Sequence, residues 1–210
     1  MFRGVKMADT RSVTAGLVDE FELAGAPVAT LFAVARECFT SEYSEDKLGG
    51  ILLLAEHALH DTRLDHVDAL AGPLASGDLA DWNTVDWYCV KVLGPFISGP
   101  DVVERARAIA AWRDADVLWQ RRAAAVAFVS HAARDAELFE GFHALILEVA
   151  HSNASDDARW SQTSVGWLLR ELSRHHRSQV ERFLDDHPHL SPEATRNARK
   201  YLSDPGSASS

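Results

Sequence analysis

Apolar residues recur at three- and four-residue steps along most of the chain, which is the spacing of amphipathic helices. No segment alternates apolar and polar residues as a half-buried strand would. The pattern therefore predicts an all-α protein made of helical hairpins. Representative stripes are Leu31/Val34/Ala35/Cys38/Phe39, Leu48/Ile51/Leu52/Ala55/Leu59, Leu138/Phe142/Leu145, Val165/Leu168/Leu172 and Val180/Phe183/Leu184.

Glycine and proline mark the predicted ends of these helices. Breaks are expected at Gly72-Pro73, Gly94-Pro95, Gly99-Pro100 and Pro188. The run Ser191-Pro192-Glu193 predicts a helix start, because it joins a capping residue to a first-turn proline and an acid.

Successive helix pairs of this size predict a HEAT-like α-solenoid, in which stacked antiparallel helix pairs form a concave face. A helical bundle is the competing all-α architecture. The length fits a single helical-repeat domain over residues 1–203, and the polar end of the chain predicts a disordered tail at residues 204–210.

Composition narrows the class of protein. The 210 residues are 47% hydrophobic and 25% charged, as in ordinary globular domains. Cys38 and Cys89 lie in apolar patterns without a metal-ligand spacing, so we expect no metal, no cofactor and a reducing, cytoplasmic setting. Every apolar run is too short to span a membrane, and the first residues lack the apolar core of a signal peptide.

The formal net charge of −10 argues against binding to phosphates unless the charge is unevenly placed. It is uneven, since acidic clusters occupy the first half and arginines concentrate in the second. The local field, and not the net charge, decides where a polyanion docks. Most of these charges also fit ordinary solvated helix faces.

The segment Asp81–Asp86 is the first candidate for chemistry. Trp82 and Asp86 are four residues apart, so a helix places them on one face. A carboxylate beside an indole ring is suited to stabilising a cationic centre. The alternative is a buried tryptophan beside an acid that begins a helix.

Two later segments combine tryptophan with arginine. In Trp119–Ala124, Arg121 and Arg122 offer guanidinium donors that match a phosphate, unless they are a plain surface pair. In Val165–Glu171, Gly166 permits close approach to the backbone, and Trp167 and Arg170 lie on neighbouring positions of one helix. The alternative is core packing of Trp167 and a surface pair of Arg170 with Glu171.

Taken in order, four patterns resemble the bacterial DNA alkylation repair glycosylases of the AlkD-like type, over about Gly4 to Leu202. They are W-x-x-x-D from Trp82, W-x-R-R-A-A from Trp119, G-W-x-L-R-E from Gly166, and L-S-P-E-A-x-R-x-A-x-K-x-L from Leu190. The resemblance implies a HEAT-like fold that cradles duplex DNA. It implies catalytic roles for Trp82, Asp86 and Trp167.

The same resemblance implies that Arg122 contacts the DNA backbone, with Arg121 and Arg170 as further contacts. The implied activity is hydrolytic removal of cationic alkylated purines, 3-methyladenine and 7-methylguanine, from duplex DNA. No lysine of this chain is an obvious Schiff-base former, so we expect a monofunctional hydrolase.

The chain departs from the family pattern in two places. The sequence begins at the family's segment Phe2–Val5, so either the true start lies upstream or the protein lacks the family's first helices. A lysine that the family has near Thr163 is also absent. The alternative function is a non-catalytic HEAT-repeat protein that binds nucleic acid or a protein partner.

Overall fold

The structure, a computed structural model, describes residues 1–202, in which helices are joined by turns and loops and no strand is present. This confirms the predicted all-α class. The chain folds as two compact units, Met1–Asp101 and a second unit that begins at Val102. The predicted domain end at residue 203 and the tail at 204–210 lie outside the described residues.

The first unit is built on six helices and a core of aliphatic and aromatic side chains that includes Leu31, Ile51, Val85 and Tyr88. The helices are α1 (Met7–Glu20), α2 (Val28–Phe39), α3 (Ser44–Leu53), α4 (Val67–Ala75), α5 (Trp82–Tyr88) and α6 (Gly94–Ile97). A π-helical turn, Leu54–Ala58, extends α3, and another, Cys89–Leu93, joins α5 to α6.

Two of the predicted helix breaks are wrong, and both fall in this unit. Pro73 lies inside α4, where its ring is buried, so packing offsets the lost backbone hydrogen bond. Pro95 follows the π-helical turn Cys89–Leu93, whose wider hydrogen-bonded rings relieve the clash that proline causes in a regular helix. The breaks at Gly99-Pro100 and Pro188 are confirmed as loops.

The second unit contains the remaining helices, and its core draws on Ala123–Val126, Phe142, Val165 and Leu168. The helices are α7 (Val102–Ala110), α8 (Leu118–Val126), α9 (Val129–Ala132), α10 (Phe142–Ala154), α11 (Arg159–Leu172), α12 (Arg177–Asp186) and α13 (Pro192–Ala198). Helix α11 lies centrally and packs against α8, α9, α10 and α13.

Helices α11 and α13 are in close backbone contact at Gly166. A Cβ atom built there would lie 2.6 Å from the carbonyl oxygen of Ala194 and 2.8 Å from its Cα. Glycine is required because no side-chain atom fits in this space. Helix α13 starts as predicted, with the Ser191 hydroxyl accepting from the Ala194 N–H at 3.3 Å and Pro192 in the first turn.

Among the helices of residues 1–202, none has both the length and the apolar character needed to cross a bilayer. The same residues contain no group of three or more histidine, cysteine or acidic side chains arranged to hold a metal ion.

Candidate functional site

Helix α5 presents Trp82 and Asp86 from a firmly capped first turn. The Asp81 carboxylate accepts hydrogen bonds from the N–H groups of Asn83 and Thr84, both at 3.0 Å, and from the Thr84 hydroxyl at 2.6 Å. Asp81 is therefore the acid that begins the helix. Asp86 lies one turn further along, in a half-buried position.

The opposite side of α5 anchors it to the first unit. Val85 and Tyr88 are fully buried, and the Tyr88 hydroxyl donates to the Leu70 carbonyl at 2.9 Å. Burial raises the pKa of Tyr88 well above its ordinary value, so the phenol stays a neutral donor. Trp82, by contrast, is 52% exposed, which overturns the alternative of a buried tryptophan.

In the second unit, Arg121 holds the start of α8 to the loop before α11. Its Nε donates to Asp156 at 2.8 Å, and its Nη1 donates to the carbonyls of Ala115 and Asp116 at the same distance. Burial would raise the pKa of Asp156, but the Ala158 N–H and the Arg121 guanidinium together lower it. The Arg121 guanidinium therefore forms its hydrogen bonds within the protein.

Arg122 is a buried cation, only 4% exposed, so the alternative of a plain surface pair is wrong for this residue. Its Nη1 donates to the Trp160 carbonyl at 2.8 Å and to the Thr163 hydroxyl at 3.1 Å. Its guanidinium also lies 5.6 Å from the centre of the Trp160 ring. Arg122 therefore fixes α8 against the first turns of α11.

Trp167 and Arg170 lie together on α11, as the spacing predicted. Trp167 is half-buried, and the Arg170 guanidinium lies 5.7 Å from its ring centre. Arg170 pairs with Glu171 at 2.7 Å and donates to the amide oxygen of Asn197 at 3.3 Å. Burial raises the pKa of Glu171, but the ion pairs with Arg174 and Arg170 outweigh it and lower that pKa.

An aromatic cluster at the start of α11 was not predicted from the sequence. The Trp160 ring lies 6.3 Å from that of Trp119 and 4.6 Å from the Arg159 guanidinium. Helical spacing contained the signal, because Trp160, Thr163, Trp167 and Arg170 follow one another at three- and four-residue steps. These four half-buried residues are called the α11 stripe below.

Charge differs between the two units. Residues 1–101 contain 7 lysines and arginines against 16 acids, whereas residues 102–210 contain 14 against 15. The acidity of the protein is thus concentrated in the first unit. A polyanion meets less repulsion at the second unit, where the arginines of α11 to α13 lie.

Comparison with known proteins identifies a family and structural relatives. The family model described as "DNA alkylation repair enzyme" matches residues 1–202. A solved structure, the predicted DNA alkylation repair enzyme from Enterococcus faecalis, is 21% identical, with a TM-score of 0.79 over 97% of this chain and 89% of that one. A search of curated proteins finds no significant match. With its whole described length matched by one family model, the chain belongs to the DNA alkylation repair enzyme family.

Proposed function

We propose that this protein is a DNA glycosylase that hydrolyses the N-glycosidic bond of cationic alkylated purines, such as 3-methyladenine and 7-methylguanine, in duplex DNA. The observation that carries the proposal is the pairing of an exposed Trp82 with Asp86 one turn later on α5, in a member of this family.

The chemistry needs little acid catalysis. A purine alkylated on a ring nitrogen already carries positive charge, so it departs as a neutral base without a proton donor. Positive charge then develops on the deoxyribose as the bond breaks. A carboxylate close to the sugar stabilises this oxocarbenium-like transition state and orients the attacking water. We assign that role to Asp86.

The tryptophans supply polarised ring faces. The indole face attracts cations, and the large exposed surface of Trp82 is available for contact with the lesion nucleotide. We assign Trp167 on α11 a contact of the same kind. These contacts favour a cationic nucleotide over an undamaged one, which provides selectivity for alkylated purines.

The protein is proposed to act as a monofunctional hydrolase, without a covalent Schiff-base step. Of its four lysines, Lys47 donates to the Asp78 carbonyl and Lys91 lies 5.5 Å from the Trp87 ring centre, while Lys6 and Lys200 are exposed. A Schiff-base lysine is normally desolvated in an apolar pocket, and neither exposed lysine lies in such a pocket. We propose that the protein works in the cytoplasm, without a cofactor.

The arginines divide between two kinds of DNA contact. We propose that Arg170 contacts the DNA backbone directly, since it is partly exposed beside Trp167. Arg121 is assigned a contact through the exposed edge of its guanidinium, and the buried Arg122 is assigned a supporting role through the α8–α11 junction that it holds. Guanidinium groups fixed in this way are pre-organised for phosphates.

The proposal is tested by chromatography of bases released from a methylated duplex. Wild-type protein is expected to release methylpurines, whereas Trp82→Ala is expected to be slower. Phe21→Ala removes a comparably exposed aromatic from the end of α1, and it should keep the wild-type rate. No release by a folded wild-type protein would refute the proposal and favour the non-catalytic binder.

A further inference from the structure

A groove with two exposed cations lies beside the α11 stripe in the second unit. It has a volume of about 520 Å³ and is lined on the α11 side by Thr163 and on the α13 side by Glu193–Ala194, Arg196, Asn197 and Lys200. Thr163 belongs to the α11 stripe, so the groove adjoins the surface that carries Trp167 and Arg170.

The walls of the groove are fixed relative to each other. The contact between Gly166 and the Ala194 backbone leaves no space for α13 to move closer to α11. On the groove floor, the amide oxygen of Asn197 accepts from Arg170 at 3.3 Å, which orients the amide nitrogen as a donor. A groove of fixed shape loses little entropy when it binds a ligand.

The groove carries net positive charge. Glu193 is neutralised by Arg159, whose Nε and Nη2 reach its two carboxylate oxygens at 2.9 and 3.0 Å. This pairing lowers the pKa of Glu193, so the ion pair persists at neutral pH. Arg196 also interacts electrostatically with Glu193, but among residues 1–202 neither Arg196 nor Lys200 forms an ion pair within 4.0 Å.

The donor set fits a phosphodiester. A guanidinium, an ammonium and an amide are the groups that proteins use to hold DNA phosphates, and contacts of this kind fix the register of the protein without reading sequence. The family to which the chain belongs gives DNA as the source of that phosphate.

We propose that Arg196, Lys200 and Asn197 bind a backbone phosphate of duplex DNA in this groove. This extends the DNA contact of the second unit from Trp167 and Arg170 to α13. The inference rests on the proposed function for its ligand, but not on catalysis, because an undamaged duplex offers the same phosphates.

The test is the binding of an undamaged, fluorescently labelled duplex to the full chain at several salt concentrations. The double variant Arg196→Gln/Lys200→Gln is expected to bind more weakly at low salt. Its plot of log Kd against log salt concentration should be shallower by roughly 1, since the loss of one phosphate contact removes about 0.9. The matched control, Arg107→Gln/Arg182→Gln, removes two exposed arginines of the same unit and should keep most of the wild-type slope.

The outcomes separate the groove from the catalytic proposal. Equal slopes and affinities for the groove and control variants would overturn the groove assignment, as would wild-type protein that binds no duplex. DNA binding that depends on the groove without any base release would uphold the groove and refute the glycosylase.

Cations near the end of a helix also stabilise its dipole, so urea unfolding of both double variants completes the test. Unfolding midpoints close to wild type are expected for each. If the loss of DNA binding by the groove variant is fully explained by a smaller fraction of folded protein, the inference is overturned.

Discussion

Replacing Gly166 by alanine should destabilise the second unit, although alanine is the better helix former. The added Cβ would meet the Ala194 carbonyl oxygen at 2.6 Å, its Cα at 2.8 Å and its carbonyl carbon at 3.1 Å. All three atoms belong to backbone, so no side-chain rotation removes the clash. Helix α13 must therefore move away from α11.

The size of the effect follows from two opposing contributions. Overpacking of a well-packed contact costs about 1–3 kcal/mol, and the rigid backbone here favours the upper end. The higher helix propensity of alanine relative to glycine offsets about 1 kcal/mol of this cost. We expect the free energy of unfolding to fall by about 2 kcal/mol, measured by urea unfolding followed by tryptophan fluorescence.

Gly16→Ala is the matched control, because this glycine is exposed in α1 and a Cβ there would meet nothing within 4 Å. That variant should be as stable as wild type or more stable, by up to about 1 kcal/mol. A Gly166→Ala protein that unfolds at the wild-type urea concentration or above would refute the reasoning about the α11–α13 contact.

Two further predictions concern stability. Asp81→Ala removes the cap of α5 and should lower the free energy of unfolding by about 1 kcal/mol. Asp81→Asn keeps a capping side chain and should retain most of the wild-type stability. Equal unfolding midpoints for the two variants would contradict this prediction. Burial lowers the pKa of His131 from 6.5 to about 4, so the unfolded chain takes up a proton at a higher pH than the folded one. The free energy of unfolding should therefore decrease as the pH is lowered. This residue should account for a decrease of about 2 kcal/mol between about pH 7 and pH 5. His131→Gln should flatten the pH dependence of urea unfolding, and an unchanged pH dependence would argue against it.

The sequence predicted the helical class well because periodic apolar positions report directly on which face of a helix is buried. It predicted helix ends less well. Pro73 and Pro95 are helix breakers by local rules, but burial of one ring and a π-helical turn before the other overrode those rules. Such compensation depends on tertiary packing and on backbone geometry, which local patterns do not encode.

In the candidate site, too, local spacing was predictable from the sequence, whereas contacts between distant residues were not. Helical spacing correctly placed Trp82 and Asp86 on one helix, and Trp167 beside Arg170. The fixed positions of Arg121 and Arg122 depend on Asp156 and the Trp160 carbonyl, which lie more than thirty residues away in sequence. Whether Trp82 is buried or exposed was also open, since a tryptophan fits either side of an amphipathic helix.

The most direct test of the account is the single-turnover rate of methylpurine release from a methylated duplex by Asp86→Asn. Asp19→Asn, at an exposed position in α1, makes the same chemical change and should keep the wild-type rate. We expect Asp86→Asn to lose at least about 100-fold in rate, as when one preorganised electrostatic group is removed, while its affinity for undamaged duplex stays near wild type. A folded Asp86→Asn protein that releases methylpurines at the wild-type rate would contradict the account.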